Sequence, residues 1–333
     1  MKAAHGLALI MLAGMAVALL LVAHFGFETI ADGLLEAGWG LLWVPVFHLL
    51  PMLFSSLGWW ALQAPAWRGP IGVFYWARWI REAVDGLLPV GQVGGELVGA
   101  RLLTNHGAAP HVALAGSIVD LTMEVITQFL FSLLGLALLL ALHGYDGTVH
   151  WLIVGAGVAA LALGGFVLAQ RAGMFRLIER GLEYLSELLG MGGLGRLAGL
   201  HDAIAALHRE RRALALGGTF HLLSWIVGAG EVWLALYLLG HPVGIAEALI
   251  LESLGQAVRS AAFIVPGAFG IQEGGFMVLG GLLGLGPEVG LTLSLVKRVR
   301  ELVLGLPGLA AWQAVEGRSL MRWAARSSRR ADD

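Results

Sequence analysis

The run HVALAGSIVDLTMEVITQFLFSLLGLALLLAL, residues 111–142, decides the class of this protein. It contains only two acidic residues, Asp120 and Glu124, and no Lys or Arg. About 20 apolar residues are enough to cross the hydrocarbon core as a helix, the form in which a backbone satisfies its own hydrogen bonds. The run therefore predicts a membrane-spanning helix whose two carboxylates face protein rather than lipid.

The whole chain has the composition of a membrane protein. Of its 333 residues, 58% are hydrophobic and 13% are charged, and the mean hydropathy is +0.79; soluble proteins have about 25% charged residues. The net charge of -2 excludes a strongly basic nucleic-acid binder, and the absence of Cys excludes disulfide scaffolds and Cys-ligated metal centres. Further spans are predicted at 6–25, 39–62, 151–170, 213–240 and 288–315. The first of them has an alternative interpretation as a signal peptide, although it is long for one.

Basic residues fall on one side of these spans. Residues 26–38 and 143–150 contain no Lys or Arg, whereas 171–212 contains seven Arg and the tail, 316–333, contains five. Since cytoplasmic loops retain positive charge, we predict a multi-pass protein of the bacterial inner membrane with both termini in the cytoplasm. The apolar spacing within 171–212 predicts either an amphipathic helix on the cytoplasmic membrane surface or a helical hairpin packed on the bundle.

Two glycine-rich interruptions, PVGQVGGE at 89–96 and PGAFGIQEGG at 266–275, indicate an internal repeat. An ungapped alignment of the chain with itself, the repeat alignment, places Pro89 on Pro266 and Glu96 on Glu273, with ten identities between 89–124 and 266–301. We predict an all-α protein with one membrane domain, 1–333, of about six full spans and two hairpins. Its repeats, 39–142 and 213–315, each contain a span, a broken hairpin and a charged span. The residues of the hairpin motifs are Pro89, Gly91, Gly94, Gly95, Pro266, Gly267, Gly270, Gly274 and Gly275.

One span, 151–170, separates the two repeats and gives them opposite orientations in the membrane. Transporters with such inverted repeats form their substrate site near the membrane midplane from discontinuous helices.

Charged residues inside the predicted spans and hairpins are the candidates for a binding site. A mid-membrane charge costs about 2.5–3.5 kcal/mol on insertion scales, so these side chains must pair inside the protein or line water. Pairs four residues apart, Arg78 with Glu82, Arg81 with Asp85 and Lys297 with Glu301, offer a purely structural explanation for some of them. The His residues show no metal-binding pattern, and we predict no metal or cofactor. The candidate substrate-binding residues are Arg81, Glu96, Arg101, Asp120, Glu124, Arg259, Glu273, Lys297, Arg300 and Glu301.

The stretches 77–103 and 266–275 carry a family resemblance. The first resembles the HpnL family of hopanoid-biosynthesis-associated membrane proteins, and both resemble motifs of a broader family, the flippase-like membrane domain of lysylphosphatidylglycerol synthetases. The resemblance covers residues from about 39 to 315. It implies translocation of a lipid or lipid precursor, with hopanoids or phospholipids as candidate cargo and lipid-synthesis enzymes as candidate partners. We expect no soluble aminoacyl-transferase domain after Arg330, so the resemblance does not imply lysyl transfer.

The leading functional hypothesis is a lipid transporter or flippase without enzymatic activity. The alternative is a membrane enzyme similar to polyprenyl-pyrophosphate phosphatases, which also combine inverted repeats, acidic residues and a Pro-Gly motif. Here, however, the Ser-Arg pair of those enzymes does not follow Pro266 and Gly267, so the catalytic motif is incomplete. A scaffold for lipid-synthesis enzymes is a third hypothesis, and it leaves the charges within the spans unexplained.

The charge distribution of the loops leads to a test of topology. Single Cys residues placed at Asp32 and Asp146 should react with a membrane-impermeant thiol reagent from outside the cell, whereas a Cys at Arg196 should react only from the cytoplasmic side. The chain contains no other Cys to interfere. Labelling of position 196 from outside would contradict both the orientation and the inverted repeat.

Overall fold

The computed structural model of this chain describes residues 38–63, 67–88, 94–144, 147–171, 199–262, 265 and 268–331. Within this part of the chain a 3-10 turn, Gly38–Leu42, precedes ten α-helices. They are α1 (Trp43–Leu62), α2 (Ile71–Leu87), α3 (Gly94–Asn105), α4 (Pro110–His143), α5 (Gly147–Arg171), α6 (Leu200–Arg209), α7 (Arg211–Leu238), α8 (Ile245–Ala261), α9 (Ile271–Leu282) and α10 (Pro287–Ala331).

Three stretches of the described chain are long and apolar enough to cross a membrane: Gly38–Leu62, Pro110–Leu142 and Arg211–Leu238. They coincide in position with the predicted spans 39–62, 111–142 and 213–240. The predicted span 151–170 lies in α5, which contains a shorter apolar stretch, Ile153–Leu168. The predicted span 288–315 lies within the continuous helix α10, and the predicted span 6–25 lies outside the described residues.

The helices α1 and α7 pack along each other through small residues. A Cβ atom added at Gly217 would lie 2.5 Å from the side chain of Leu62, and one at Gly230 would lie 2.7 Å from that of Phe47. Glycines at these positions therefore allow the two helices to approach closely, as small residues do in membrane helix pairs. The Ser224 hydroxyl adds a hydrogen bond of 2.7 Å to the carbonyl oxygen of Pro51.

Two pairs of shorter helices, α2 with α3 and α8 with α9, occupy the positions of the predicted hairpins. The first helix of each pair packs against the long helix of the other half of the chain: α2 against α10, and α8 against α4. The helices α3 and α9 are equal in length, and the repeat alignment places both ends of α3 on the ends of α9. It also places Pro110, the first residue of α4, on Pro287, the first residue of α10.

The described part of the segment 171–212 contains α6, which packs on the bundle. Its Leu200, Ile204 and Leu207 are buried with Leu62 and Val119 in one apolar cluster. The exposed residues of α6 are Asp202, Ala206 and Arg209. The apolar spacing that predicts the amphipathic segment runs from Phe175 to Leu189, outside the described residues. The last two residues of the segment, 211 and 212, belong to α7, and residues 172–198 lie outside the described part of the chain.

The backbones of α9 and α10 are in direct contact. A Cβ atom added at Gly290 would overlap the carbonyl oxygen of Phe276 and lie 3.0 Å from the Cα atom of Met277. On the other side of the contact, a Cβ at Gly280 would lie 2.8 Å from the carbonyl oxygen of Gly286. Because backbone atoms cannot rotate away as a side chain can, this contact requires glycine on both helices.

Replacement of Gly290 by alanine should therefore destabilise the protein by about 1–3 kcal/mol, the usual cost of an overpacked interior. Thermal unfolding in detergent, followed by tryptophan fluorescence, would show a lower Tm. The matched control is Gly281→Ala in the same helix pair, since nothing lies within 4 Å of a Cβ there. A Tm for Gly290→Ala as high as that of the control would contradict the close backbone contact.

Candidate functional site

Arg81 on α2 is the centre of the first cluster of charged side chains. Its guanidinium donates to Asp120 Oδ2 at 2.7 Å and to Glu124 Oε2 at 2.8 Å, both on α4. It also pairs with Glu96 on the first turn of α3. Arg81, Glu96 and Asp120 are buried. A single guanidinium thus joins both helices of the first hairpin to the long helix α4.

Arg78 reinforces this cluster. Its two terminal nitrogens donate to both oxygens of Glu124, at 2.9 and 2.6 Å, and its Nε donates to Glu82 at 2.9 Å. Bidentate pairs of this kind are short, strong and directional. Glu124 is therefore bound by two arginines of α2, and Glu82 extends the cluster towards α1.

Glu301 on α10 is the centre of the second cluster. Arg298 donates to Glu301 at 3.0 Å and to Glu273 on α9 at 2.9 Å. Arg259, from α8, pairs with Glu301 and donates to Gln272 Oε1 at 3.0 Å. Glu273 also accepts the backbone N–H of Gly270 at 2.7 Å, where α9 begins. The second hairpin is thus tied to α10 in the way that the first is tied to α4.

The repeat alignment relates the two clusters. It places Glu96 on Glu273 and Glu124 on Glu301, and in each cluster one arginine bridges the two glutamates. The bridging arginines are not equivalent, since Arg81 lies on a hairpin helix and Arg298 on the long helix. The two halves therefore join corresponding carboxylates with cations from different positions.

Lys297 and Arg300 extend the second cluster to α7 and α8. Lys297 donates to Glu252 on α8 at 2.7 Å and lies 3.8 Å from Glu231 on α7. Arg300 donates to the other oxygen of Glu231 at 3.2 Å. The repeat alignment places Asp120 on Lys297, so the two halves carry opposite charges at this position.

Two histidines join the charged network, and neither of them is among the site residues predicted from the sequence. His48 on α1 lies 2.7 Å from Glu231, 3.3 Å from Glu82 and 2.7 Å from Arg300, and so it connects the two clusters. His221 on α7 lies 2.8 Å from Asp120. Each is a polar residue within a predicted apolar span, and that isolation was the only sequence signal. A histidine in such a position is easily assigned a structural role while its partners are unknown.

Only one of the three pairs predicted at a spacing of four residues is found among the described ion pairs. Arg78 pairs with Glu82. Asp85 instead accepts the backbone N–H of Gly95 at 2.8 Å, and Lys297 pairs with Glu252 and Glu231. The predictions for Arg81 with Asp85 and for Lys297 with Glu301 were wrong, because cations between helices find carboxylates on several neighbours and are not restricted to their own helix.

The structure brings most of the predicted substrate-binding residues together. The ion pairs described above include Arg81, Glu96, Asp120, Glu124, Arg259, Glu273, Lys297, Arg300 and Glu301. Arg101 differs from them because its side chain is exposed on α3. Among the basic residues of the two clusters, Arg259 is the most accessible, with 20% of its side chain exposed against 3% for Lys297.

The predicted hairpin glycines lie partly within the described chain. Gly94 and Gly95 begin α3, and Gly270, Gly274 and Gly275 lie at the start of α9. Gly270 has a φ of 79°, a left-handed conformation that favours glycine. The remaining motif residues lie outside the described part: Pro89, Gly91, Pro266 and Gly267.

A cavity of about 220 Å³ lies between the segment that begins α1 and the helix α10. Among the described residues that line it, Arg300 alone is charged, and the others are Gly38, Trp39, Leu41, Leu42, Pro45, Val296, Val299 and Val303. The cavity is thus apolar apart from one guanidinium of the buried clusters. Such a site can hold a hydrocarbon segment beside an anionic or hydroxyl-bearing group.

The two clusters can interact with a ligand through charge. Among the described residues, no group of His, Asp and Glu is arranged as a metal site. The ion pairs of the clusters join eight carboxylates to six basic side chains and two histidines, and each of the six cations has at least one carboxylate partner. An anionic ligand entering this region would have to replace carboxylates that already pair with these cations.

Comparison with known proteins agrees with a membrane role. The sequence profile of the lysylphosphatidylglycerol synthase TM region matches residues 5–308. A UPF0104 membrane protein of Methanothermobacter thermautotrophicus is 24% identical over 233 residues, which are 64% of this chain. The chain spans 65% of the length of that relative. No solved structure matches the chain.

The profile match confirms the broader family indicated by the stretches 77–103 and 266–275, and membership of the HpnL family stays a prediction. The match extends over most of the chain and includes both clusters of charged residues. The chain belongs to the family of the lysylphosphatidylglycerol synthase TM region.

Proposed function

We propose that this protein is a transporter or flippase for a lipid or lipid precursor. The observation that carries the proposal is the cavity beside α10. Among the described residues that line it, Arg300 is charged and the others are apolar. A lipid has the matching composition, an apolar chain attached to a polar or anionic head group. Arg is well suited to such head groups because its planar guanidinium can donate two parallel hydrogen bonds to a phosphate.

The cost of the buried charges supports a functional role. Arg81, Asp120 and Lys297 are buried between helices of which several are apolar enough to span a membrane. Replacing such networks with apolar side chains is often neutral or stabilising, so burial of ion pairs alone is a poor means of gaining stability. A shielded polar region inside the bundle is instead what a head group needs when its hydrocarbon chain stays in the bilayer.

We propose further that 39–142 and 213–315 are inverted repeats and that their hairpins open the site alternately to the two leaflets. The equal lengths of α3 and α9, their agreement with the repeat alignment and the exchanged packing of α2 and α8 support this arrangement. Two glutamates bridged by an arginine at each hairpin would hold that hairpin closed. Rocking of one repeat against the other is the usual form of alternating access in such folds.

The cargo proposed is a phospholipid, a hopanoid or a related lipid. The family includes the membrane region of lysylphosphatidylglycerol synthases, which supports a lipid-related role, and the resemblance to the HpnL family favours hopanoid metabolism. We place the protein in the bacterial inner membrane with both termini in the cytoplasm, where lipid-synthesis enzymes are candidate partners. The distribution of Arg between the loops supports this orientation.

Replacement of Arg300 by glutamine should slow lipid translocation by about 10- to 100-fold. A hydrogen bond to a charged group contributes about 1.5–3 kcal/mol, and about 1.4 kcal/mol corresponds to a tenfold change. The measurement is the movement of fluorescent phosphatidylglycerol between leaflets of proteoliposomes. Arg300→Lys, which retains the charge and loses the planar fork, should give an intermediate rate.

The matched control for this experiment is Arg209→Gln, because Arg209 is exposed at the end of α6 and belongs to neither cluster. All variants should elute as the wild type does in size-exclusion chromatography before their rates are compared. Equal rates for Arg300→Gln and the wild type would reject the cavity as the head-group site. Release of phosphate from a polyprenyl pyrophosphate by the wild type would favour the enzyme hypothesis instead.

A further inference from the structure

The repeat alignment extends to the two apolar stretches that contain α1 and α7, which pack antiparallel to each other. A Cβ atom added at Gly40 would lie 3.1 Å from the side chain of Leu238, and one at Gly217 would lie 2.5 Å from that of Leu62. The alignment places Gly40 on Gly217, so the early part of each stretch meets the end of the other. Since both stretches are long and apolar enough to cross a membrane, their starts lie on opposite sides of it.

The cavity beside α10 has a counterpart in the other half of the chain. The alignment places two residues of the cavity wall, Leu41 and Arg300, on Gly218 and Met123. A Cβ atom added at Gly218 would lie 3.0 Å from the Cε atom of Met123. The two positions that border a cavity between α1 and α10 are therefore in direct contact between α7 and α4, at the opposite side of the membrane.

The helix α6 covers the same surface of α4. Val296 of the cavity wall aligns with Val119, and Val119 is buried in the apolar cluster that α6 forms with α4. Met123 packs against this cluster as well. The surface of α4 that corresponds to the cavity wall is thus covered by α6 and by the start of α7.

A polar contact holds α7 on α4 beside this surface. His221 Nε2 lies 2.8 Å from Asp120 Oδ1, and both side chains are buried. On the side of the cavity the alignment places Val44 and Lys297 at these two positions, and a valine side chain cannot form a hydrogen bond. Separation of α7 from α4 must therefore break a bond that the open side does not have.

The charged network reaches from the cavity to this closed contact. Successive side chains, 2.7 to 3.7 Å apart, lead from Arg300 through Glu231, His48, Glu82, Arg78 and Asp120 to His221. A polar head group needs a shielded polar region when it crosses hydrocarbon. The network extends between the two places where such a group could enter and leave.

We infer that the contact of α4 with α6 and the start of α7 is the closed form of a second lipid cavity, which opens to the other leaflet when the cavity beside α10 closes. Its ligand is a lipid with an anionic or hydroxyl-bearing head group, so the inference rests on the proposed function. Exchange of open and closed contacts between two inverted repeats is the basis of alternating access. Asp120 keeps Arg81 as a partner when His221 leaves, so the opening strands no buried carboxylate.

The first test links α4 to α7. In the double variant Met123→Cys with Gly218→Cys, the smaller side chain at position 123 makes room for the new one at position 218. A short bis-methanethiosulfonate reagent should join the two thiols, since the chain has no other Cys. The linked protein should lose translocation of fluorescent phosphatidylglycerol in proteoliposomes and regain it after treatment with dithiothreitol. Its affinity for dihexanoyl phosphatidylglycerol in detergent should equal that of the reduced protein, because the cavity beside α10 stays open.

The matched controls are the two single-Cys variants, which should continue to translocate lipid after treatment with the same reagent. Translocation by the fully linked double variant at the rate of its reduced form would overturn the inference. Absence of both translocation and lipid binding in every protein, the wild type included, would reject the proposed function instead.

The second test detects the opening without lipid transport. Val119 has no exposed surface, so a Cys at this position should react with a water-soluble maleimide only while α6 and α7 are away from α4. Adding His221→Leu, which removes the bond to Asp120, should speed this reaction by about tenfold or more, as expected for loss of a hydrogen bond to a charged group. His221→Gln, which can still donate to Asp120, should have a smaller effect.

Val232→Cys is the matched control for this reaction, because Val232 is equally buried in a different apolar cluster. Its reaction should remain slow in the presence of His221→Leu. An unchanged reaction rate at position 119 in His221→Leu would overturn the inference, as would an equal increase at positions 119 and 232, which would indicate general loosening of the fold.

Discussion

The exclusion of unpaired charge from hydrocarbon is the constraint on which the rest of this structure depends. Apolar helices in a bilayer gain little by associating with one another, since lipid chains are as apolar as leucine. Arg81, buried on α2, can be accommodated only where carboxylates of other helices meet it, and it finds them on α3 and α4. The ion pairs therefore determine which helices must be neighbours, and apolar packing and glycine contacts then fix how close those neighbours lie.

Among the described ion pairs, those that join the two halves of the protein each involve a histidine. His48 of α1 meets Glu231 of α7, and His221 of α7 meets Asp120 of α4. The arginine and lysine pairs of the clusters stay within one half, as Arg81 does with Asp120 and Lys297 with Glu252. A displacement of one half against the other would therefore separate the histidines from these carboxylates, while Asp120 keeps Arg81 and Glu231 keeps Arg300. Loss of its partner by a buried charge is the large cost in such networks, and this division of the ion pairs avoids it.

Much of this arrangement could be predicted from the sequence, whereas the partners of individual charged residues could not, for a physical reason. Hydropathy locates the helices around 39–62, 111–142 and 213–240, because length and apolar composition are properties of a segment alone. The repeat alignment singles out Glu96 and Glu273, which the structure places in corresponding ion pairs. The ion-pair partner of a charged residue cannot be predicted in this way, because it depends on distances between helices. Lys297 could reach Glu301 along its own helix, yet it pairs with Glu252 across the bundle, and His48 acquires its importance only from neighbours that are distant in the sequence.

The unequal placement of the two bridging arginines has a mechanical consequence. Arg298 and Glu301 belong to the same helix, α10, and the glycine contact at Gly290 holds α9 on that helix. The helix α8 meets this pair through Arg259 with Glu301 and through Lys297 with Glu252. A movement of α8 would break these contacts and leave the bridge from Glu273 through Arg298 to Glu301 in place. At the first hairpin, Arg81 of α2 is itself the bridge, so a movement of α2 away from α3 and α4 would break the link between Glu96 and Glu124.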